Sequence, residues 1–326
     1  MADTKEINQT SITGFILLGF RNLHELEILL FPLFLVIYIV TVAGNILIVA
    51  LVVANQHLHT PMYFFLGNLS CLETCYTSTI LPRMLASLLT GNKSISVSGC
   101  LIQYDIFGSL LATESCLLSV MSYDRYLAIC KPLHYAACMN SRFSFQLAAG
   151  SWLSGSAVST ITACWLSQLI FCGPNEIDHF LCEYTTLIKL SCSDTSLMVL
   201  VIFPLSFIFI LPPFLLTLTS YIYIISTVLR ISSSTGRQKA FSTCSSHLIV
   251  VTIFYGTLFI VYLLPDAAAL QDLNKVSFVF YTILTPMVNP FIYSLRNKEV
   301  KEALRKALSK TMTFITNHKL FSQHLL

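Results

Sequence analysis

Charge is what this chain has least of: 11% of its 326 residues are Asp, Glu, Lys or Arg, while 55% are hydrophobic. Soluble domains carry about 25% charged residues, so an ordinary soluble globule is excluded and a membrane protein is implied. A net charge of +3 is too small to argue for a nucleic-acid partner. The eleven cysteines include no CxxC pair and no Cys/His cluster at zinc-finger spacing, which removes the usual structural zinc sites. GxGxxG, HExxH and an accessible nucleophile-base pair are all missing, so an enzyme is not expected. The first 25 residues lack a basic stretch followed by a short apolar core, so the first apolar run is expected to serve as an uncleaved insertion signal. No internal repeat or low-complexity segment occurs, and the loops are too short to hold a separate domain.

What is present is a series of apolar runs, each long enough to cross a hydrocarbon core about 30 Å thick. They lie near Leu26–Val53, Met62–Leu89, Ser98–Ile129, Ser144–Ile170, Leu197–Val228, Phe241–Leu264 and Val276–Leu295, the second being the least hydrophobic. An all-α membrane protein follows, a seven-helix bundle with its termini on opposite sides. Lys and Arg set the orientation. Arg125, Lys131, Arg142, Arg230, Arg237, Lys239 and the basic residues from Arg296 to Lys319 share one side, the expected cytoplasm. Lys5, Arg21, Arg83, Lys93, Lys189 and Lys275 fall on the other, among Asp3, Glu6, Glu25, Glu27, Glu176, Asp178, Glu183, Asp194, Asp266 and Asp272.

The chain thus divides into an outer tail (1–25), a membrane domain (26–295) and a cytoplasmic tail (296–326). Asn8-Gln9-Thr10 is a glycosylation sequon in the outer tail. Asn68-Leu69-Ser70 also matches but lies within a span, and Asn92-Lys93-Ser94 sits in a short outer loop. After the last span, Val300, Ala303, Leu304, Ala307 and Leu308 recur at helical spacing between basic residues. That pattern predicts a short amphipathic helix on the anionic lipid leaflet.

Met121–Cys130 ends the third run and sets Asp124, Arg125 and Tyr126 side by side. An Asp-Arg pair is costly in mid-bilayer, so it marks the membrane-water boundary, where the guanidinium offers a planar fork of donors to a docking partner. Asn289-Pro290-Phe291-Ile292-Tyr293 closes the last run, where Pro290 frees a backbone carbonyl and permits a hinge. With seven spans, these two motifs resemble the rhodopsin-like G-protein-coupled receptors. Gly44-Asn45, Leu58–Leu66 (LHTPMYFFL), Met121–Cys130, Lys239–Cys244 (KAFSTC) and Pro286–Asn297 (PMVNPFIYSLRN) narrow the resemblance to the odorant (olfactory) receptors, tetrapod-type branch. Departures from the family pattern are Glu73 for a usual Asp, Gly67 for Ser and Ser122 for Ala.

The resemblance implies a plasma-membrane receptor that binds small volatile odorants inside the bundle and activates a heterotrimeric stimulatory G protein, raising cAMP. It places Asp124, Arg125, Tyr126, Tyr221, Lys239, Asn289, Pro290 and Tyr293 in coupling and activation. It pairs Cys100 with Cys182 and Cys172 with Cys192, although four cysteines alone allow three connectivities. An outer location permits both bonds, and a disulfide-bonded Cys182 could not lend a thiolate to a metal set with His179 and Glu183. Two stripes at helical spacing resemble the odorant pocket: Tyr104, Phe107, Gly108 and Leu111 on the third span, and Tyr255, Leu258, Phe259 and Tyr262 on the sixth. Tyr104, Tyr262 and Ser206 would be its polar handles. Asp105 is expected to be solvated or loop-paired. With no acid between Ser232 and Phe259, Arg125 is expected to be held at rest by Asp124 and packing.

Glu73 and Glu114 each fall roughly 17 Å from the inner boundary, at about 1.5 Å per residue. Asn45 and Asn289 share that depth. Two carboxylates there cannot both stay ionised unaided, so one binds a proton or a sodium ion bridges them. No other cofactor is expected. The rival reading is an ion-coupled transporter or channel using Glu73 and Glu114 as its path, against which stands the absence of pseudo-repeated halves.

Overall fold

The computed structural model describes residues 12–19, 27–172, 174–263, 271–296, 299–306 and 309, with the side chains of residues 239, 242–243, 262–263, 271–274 and 293–296 outside that description. Long helices dominate: α1 (Glu27–Ala54), α2 (Pro61–Thr90), α3 (Val97–Cys130), α5 (Ser141–Leu166), α7 (Ser196–Leu229) and α8 (Ser234–Leu263). The seventh is composite. Helix α9 (Gln271–Val279) runs through a π turn at Phe280–Leu284 into α10 (Thr285–Arg296). Two short helices, α4 (Pro132–Cys138) and α6 (Tyr184–Lys189), lie in the connections at opposite ends of the bundle.

Local chemistry fixes several boundaries. Pro61 occupies the first turn of α2, where its missing N–H costs nothing. Gly91 ends the same helix at φ +71°, a left-handed cap whose N–H donates to Ser87 O. The side chains of Ser96 and Asn140 cap α3 and α5 by accepting from Gly99 N and Phe143 N. Helix α8 starts at Ser234 instead of Phe241, because Ser233 Oγ accepts from Gly236 N and the polar residues continue the helix beyond the apolar run.

Among the described residues, five stretches are apolar and long enough to cross a bilayer unaided: Ile28–Ala54, Val97–Cys130, Ser196–Leu229, Cys244–Val261 and Lys275–Ile292. Helices α2 and α5 complete the seven by turning their polar residues toward partners. Trp152 Nε1 of α5 donates to Asn68 Oδ1 of α2, and Ser156 shares a hydrogen bond with Ser109 of α3. Asn68, the sequon discounted above, is committed to this contact. The α3–α5 crossing is close enough that a Cβ on Gly155 would meet Ser109 O at 2.8 Å, so a glycine is required there.

The outer tail is more than a polar lead-in. Strand β1 (Gly14–Leu17) pairs antiparallel with β2 (Ser94–Ser96) before α3, and parallel with β3 (Glu176–Ile177) in the long loop after α5. Phe15 is 0% exposed and packs edge-on against Phe171. Gly14 lies so near β2 that a Cβ would meet Ile95 O at 2.7 Å. Cys100 is disulfide-bonded to Cys182 beneath this sheet, and Cys172 to Cys192 beside it. Residues 299–306 form a helix at the far end. Its Val300 and Ala303 are buried against the bundle, so that face meets protein instead of the lipid leaflet, while Ala307 and Leu308 lie outside the described residues.

Candidate functional site

At mid-depth, α2, α10 and α1 meet around a carboxylate. Glu73 is 2% exposed, and its Oε1 accepts from Asn289 Nδ2. Asn45 Nδ2 donates to Thr41 O and to Pro286 O, each at 3.1 Å, joining α1 to α10. Gly44 lets α1 come close, since a Cβ there would sit 3.2 Å from Pro290 Cβ. Glu114 is 6% exposed and within electrostatic range of Glu73. It has no hydrogen-bond partner among the described residues. The Oδ1 atoms of Asn45 and Asn289 are buried without a partner as well. Oxygen atoms outnumber the donors facing them, an arrangement a proton or a hard cation would relieve. A π turn immediately precedes α10, the helix that carries Asn289, and such turns are frequent at functional sites.

The Asp124–Tyr126 end is arranged differently from expectation. Asp124 is buried, but its Oδ1 accepts from the Tyr135 hydroxyl of α4 at 2.9 Å. Among the described residues no carboxylate lies within 4.0 Å of the Arg125 guanidinium. The expected Asp124–Arg125 clasp is thus corrected: Tyr135 takes up the carboxylate oxygen, and only a longer-range attraction remains. Burial and the neighbouring Asp124 push the Tyr135 phenol above its usual range, so it stays a donor. Arg125 instead lies beside a polar pair of which sequence reading named Tyr221 and missed His247. Tyr221 on α7 and His247 on α8 share a hydrogen bond of 2.6 Å with their rings stacked, both within range of the guanidinium. A lone histidine in an apolar run gave no signal by itself. Tyr126 stacks on Tyr123 and touches Tyr223 of α7. Leu133 of α4 is 93% exposed beside this end, an apolar side chain offered outward.

At the disulfide end, the two predicted stripes divide. Tyr104 packs with Leu101, Tyr184 and Ile188 in the cluster under the sheet. Phe107 turns toward α2 and α9, with ring centroids 5.0 Å from Tyr76 and 5.7 Å from Phe278. Gly108 faces α5, where a Cβ would meet Ser159 Oγ at 2.8 Å, so enlarging it strains a helix crossing. Leu111 packs on the central core with Leu258 and Phe259. Tyr255 and Phe259 both lie edge-on to Phe214 of α7, and the Tyr255 hydroxyl reaches Ser115 of α3. Ser206 is a correction. It is exposed on a stretch of α7 where, from Val199 to Ile208, only Ile202 is buried, so it does not join the interior tyrosines. Asp105 is paired neither with loop nor with solvent alone, since Thr160 of α5 donates to its Oδ1 at 3.3 Å. The predicted residues Asn8, Lys239, Tyr262 and Tyr293 fall, as residues or side chains, outside the described ones.

A separate cavity of about 40 Å³ at this end is lined by Phe34, Arg83, Met84, Lys93, His179 and Phe180 among others. It has room for roughly one or two waters, and touches none of the predicted ligand residues.

The sequence that folds into this bundle is similar to known proteins along most of its length. The sequence profile described as "Olfactory receptor" matches residues 34–311. Human olfactory receptor 11A1 is 50% identical over 301 residues, covering 92% of this chain and 95% of the relative. Human olfactory receptor 6B1 is 49% identical over 299 residues (92% and 96%), and human olfactory receptor 10A7 is 48% identical over 303 residues (93% and 96%). None of this supports the ion-coupled transporter or channel reading. The chain belongs to the olfactory receptor family.

Proposed function

We propose that this chain is an odorant receptor which binds small volatile molecules near Tyr104, Phe107, Leu111, Tyr255, Leu258 and Phe259, and couples through Asp124, Arg125, Tyr126 and Tyr221 to a stimulatory G protein. Lys239, Asn289, Pro290 and Tyr293 belong to the same activation path, and Tyr262 to the ligand site. As a member of this family it is a G-protein-coupled receptor of the membrane and not an enzyme. The receptor sits in the plasma membrane with Asn8 glycosylated outside and the 296–326 tail in the cytoplasm, as the excess of Lys and Arg at the Arg125 end supports. Basic residues 301, 305 and 306 then face anionic lipid headgroups.

One observation carries this reading. The Tyr255–Phe259 turn of α8 packs on α3 and α7 in the outer half, and the same helix delivers His247 to Tyr221 beside Arg125. An agonist that fits one arrangement of α8 better than the other therefore shifts the Arg125 end, whereas equal affinity would shift nothing. The test is a cAMP-reporter screen of an odorant panel on the parent, Leu258→Ala and Phe259→Ala. Shortening either side chain should change potency several-fold in a ligand-shape-dependent way, at about 1 kcal/mol per lost methylene contact. Uniform loss across all agonists, with surface display reduced, would mark a folding defect and count against the site.

The mid-depth group supports a sodium ion held by Glu73 and Glu114 with the orphaned Asn45 and Asn289 oxygens, stabilising the resting receptor. Raising sodium at fixed ionic strength should right-shift agonist responses in membranes, and Glu114→Gln should erase the shift. Indifference to replacing sodium by a large organic cation leaves a protonated carboxyl as the occupant of that position.

A further inference from the structure

We infer that the small cavity enclosed by the outer tail, α1, α2 and the disulfide-tied loop is a binding site for a halide-sized anion such as chloride, held by Arg83 and Lys93. The inference is independent of where odorants bind.

Four segments of the chain build the cavity. Leu30 and Phe34 of α1 and Met84 and Leu88 of α2 supply apolar walls, and the tail from Leu17 to Gly19 closes it together with His179 and Phe180 of the loop. Backbone bonds hold the tail in place. Leu17 N donates to Lys93 O at 2.9 Å, Leu18 N to Ile177 O at 2.8 Å and Gly19 N to His179 O at 3.2 Å. Gly19 turns the tail at φ +57°, and a Cβ there would meet the Phe180 ring at 3.3 Å. A glycine satisfies both demands.

The charge of this lining has one sign. Arg83 and Lys93 belong to it, and among the described residues no Asp or Glu does. Arg83 is half-buried and gives one N–H to Ser94 O at 2.7 Å, whereas a guanidinium has five to give. No carboxylate lies within 4.0 Å of it among the described residues. Removing a charge from water without a counter-charge is costly, and an anion in the cavity would offset that cost. The loop acids are turned elsewhere, Asp178 to Lys275 at 2.6 Å and Glu183 to His179 at 3.6 Å. Other donors in the wall are committed: the three backbone N–H groups bond as above, and the Ser87 hydroxyl donates to Met84 O at 3.1 Å. The two basic side chains must therefore do the holding. Size sets the ligand class. A volume of about 40 Å³ takes roughly one or two waters, which suits a single halide ion and leaves no room for a phosphate or an organic carboxylate.

The test is thermal unfolding of the full-length receptor in detergent, with chloride replacing gluconate at fixed sodium and ionic strength. The unfolding midpoint should rise by about 3 °C and saturate as chloride increases. Bromide should match chloride, and sulfate at the same sodium concentration should not. A general salt effect would instead rank sulfate first and keep growing with concentration, which would overturn the inference. Equal midpoints in chloride and gluconate would overturn it as well. Arg83→Gln and Lys93→Gln should each remove the chloride-dependent rise. Lys93→Gln leaves the Arg83–Ser94 bond untouched, so it decides the question if Arg83→Gln folds poorly. A rise of parental size in Lys93→Gln would put the anion elsewhere on the receptor and remove this site.

Discussion

Arg125→Ala is expected to abolish agonist-driven cAMP signalling while surface-displayed receptor stays measurable. The guanidinium is half-buried at the end of α3 with no carboxylate within 4.0 Å among the described residues. Its donor fork is therefore not consumed by an internal ion pair. Truncating one member of a desolvated, charge-assisted contact costs about 2 to 5 kcal/mol, which is roughly thirtyfold to several thousandfold in a coupling equilibrium. The same truncation removes little folding energy, because Asp124 keeps its bond from Tyr135 and the Tyr221–His247 pair keeps its own. Ligand-binding loss and coupling loss should thus separate. Agonist occupancy in Arg125→Ala membranes should persist while G-protein activation disappears. Full signalling from a well-displayed Arg125→Ala receptor would place coupling elsewhere on the Arg125 end.

The parts of this molecule that were legible in the sequence are those where one residue type serves one local purpose. Seven apolar runs correspond to seven helices, with the larger displacements at the start of α8, which Ser233 and the polar residues after it extend back to Ser234, and at the end of α5, which stops at Leu166 short of the expected Ile170. Glu73, Asn45 and Asn289 could be set at one depth by rise per residue, and they do meet across three helices. What stayed illegible depends on which way a helix is turned. Tyr104, Phe107, Gly108 and Leu111 share a stripe, yet a helix enclosed by neighbours presents different partners within that stripe. Tyr104 goes to the loop cluster, Phe107 to α2 and α9, and Gly108 to α5. Ser206 failed for the opposite reason, since α7 has few neighbours along that stretch and an inward position was assumed.

Strand β1 had a signal that charge reading overrode. The run Gly14-Phe15-Ile16-Leu17 is apolar and bounded by glycines, a strand pattern. Its partners, however, lie in two distant loops, and pairing of that range cannot be read from a tail alone. Tyr135 shares that difficulty, since it acts from a short helix in a connection and its role follows from what the turn after α3 brings near it.

Cys100→Ser is expected to deplete surface-displayed receptor severely, and more than Cys172→Ser does. The chain-entropy account sets the order. Closing the Cys100–Cys182 loop, 82 residues apart in sequence, is worth about 4.5 kcal/mol, and the Cys172–Cys192 loop, 20 apart, about 3.3 kcal/mol. Helices already inserted in a bilayer have less freedom to lose, which lowers both values and leaves their order. Burial widens the gap. Cys100 and Cys182 are both buried among Phe15, Leu17, Ile95, Ile177 and Leu187, so a serine there leaves a hydroxyl in an apolar cluster as well as an open loop. Releasing Cys182 also frees the loop that carries β3, and with it one of the two partners of β1. Cys182→Ser should match Cys100→Ser, and the double variant should be no worse than either, because both remove one bond. Thermal unfolding of detergent-solubilised receptor, with surface staining in cells, would check the ranking. Equal losses from the two bridges would mean that the cluster around Phe15 and the sheet above it hold the loop without the covalent tie.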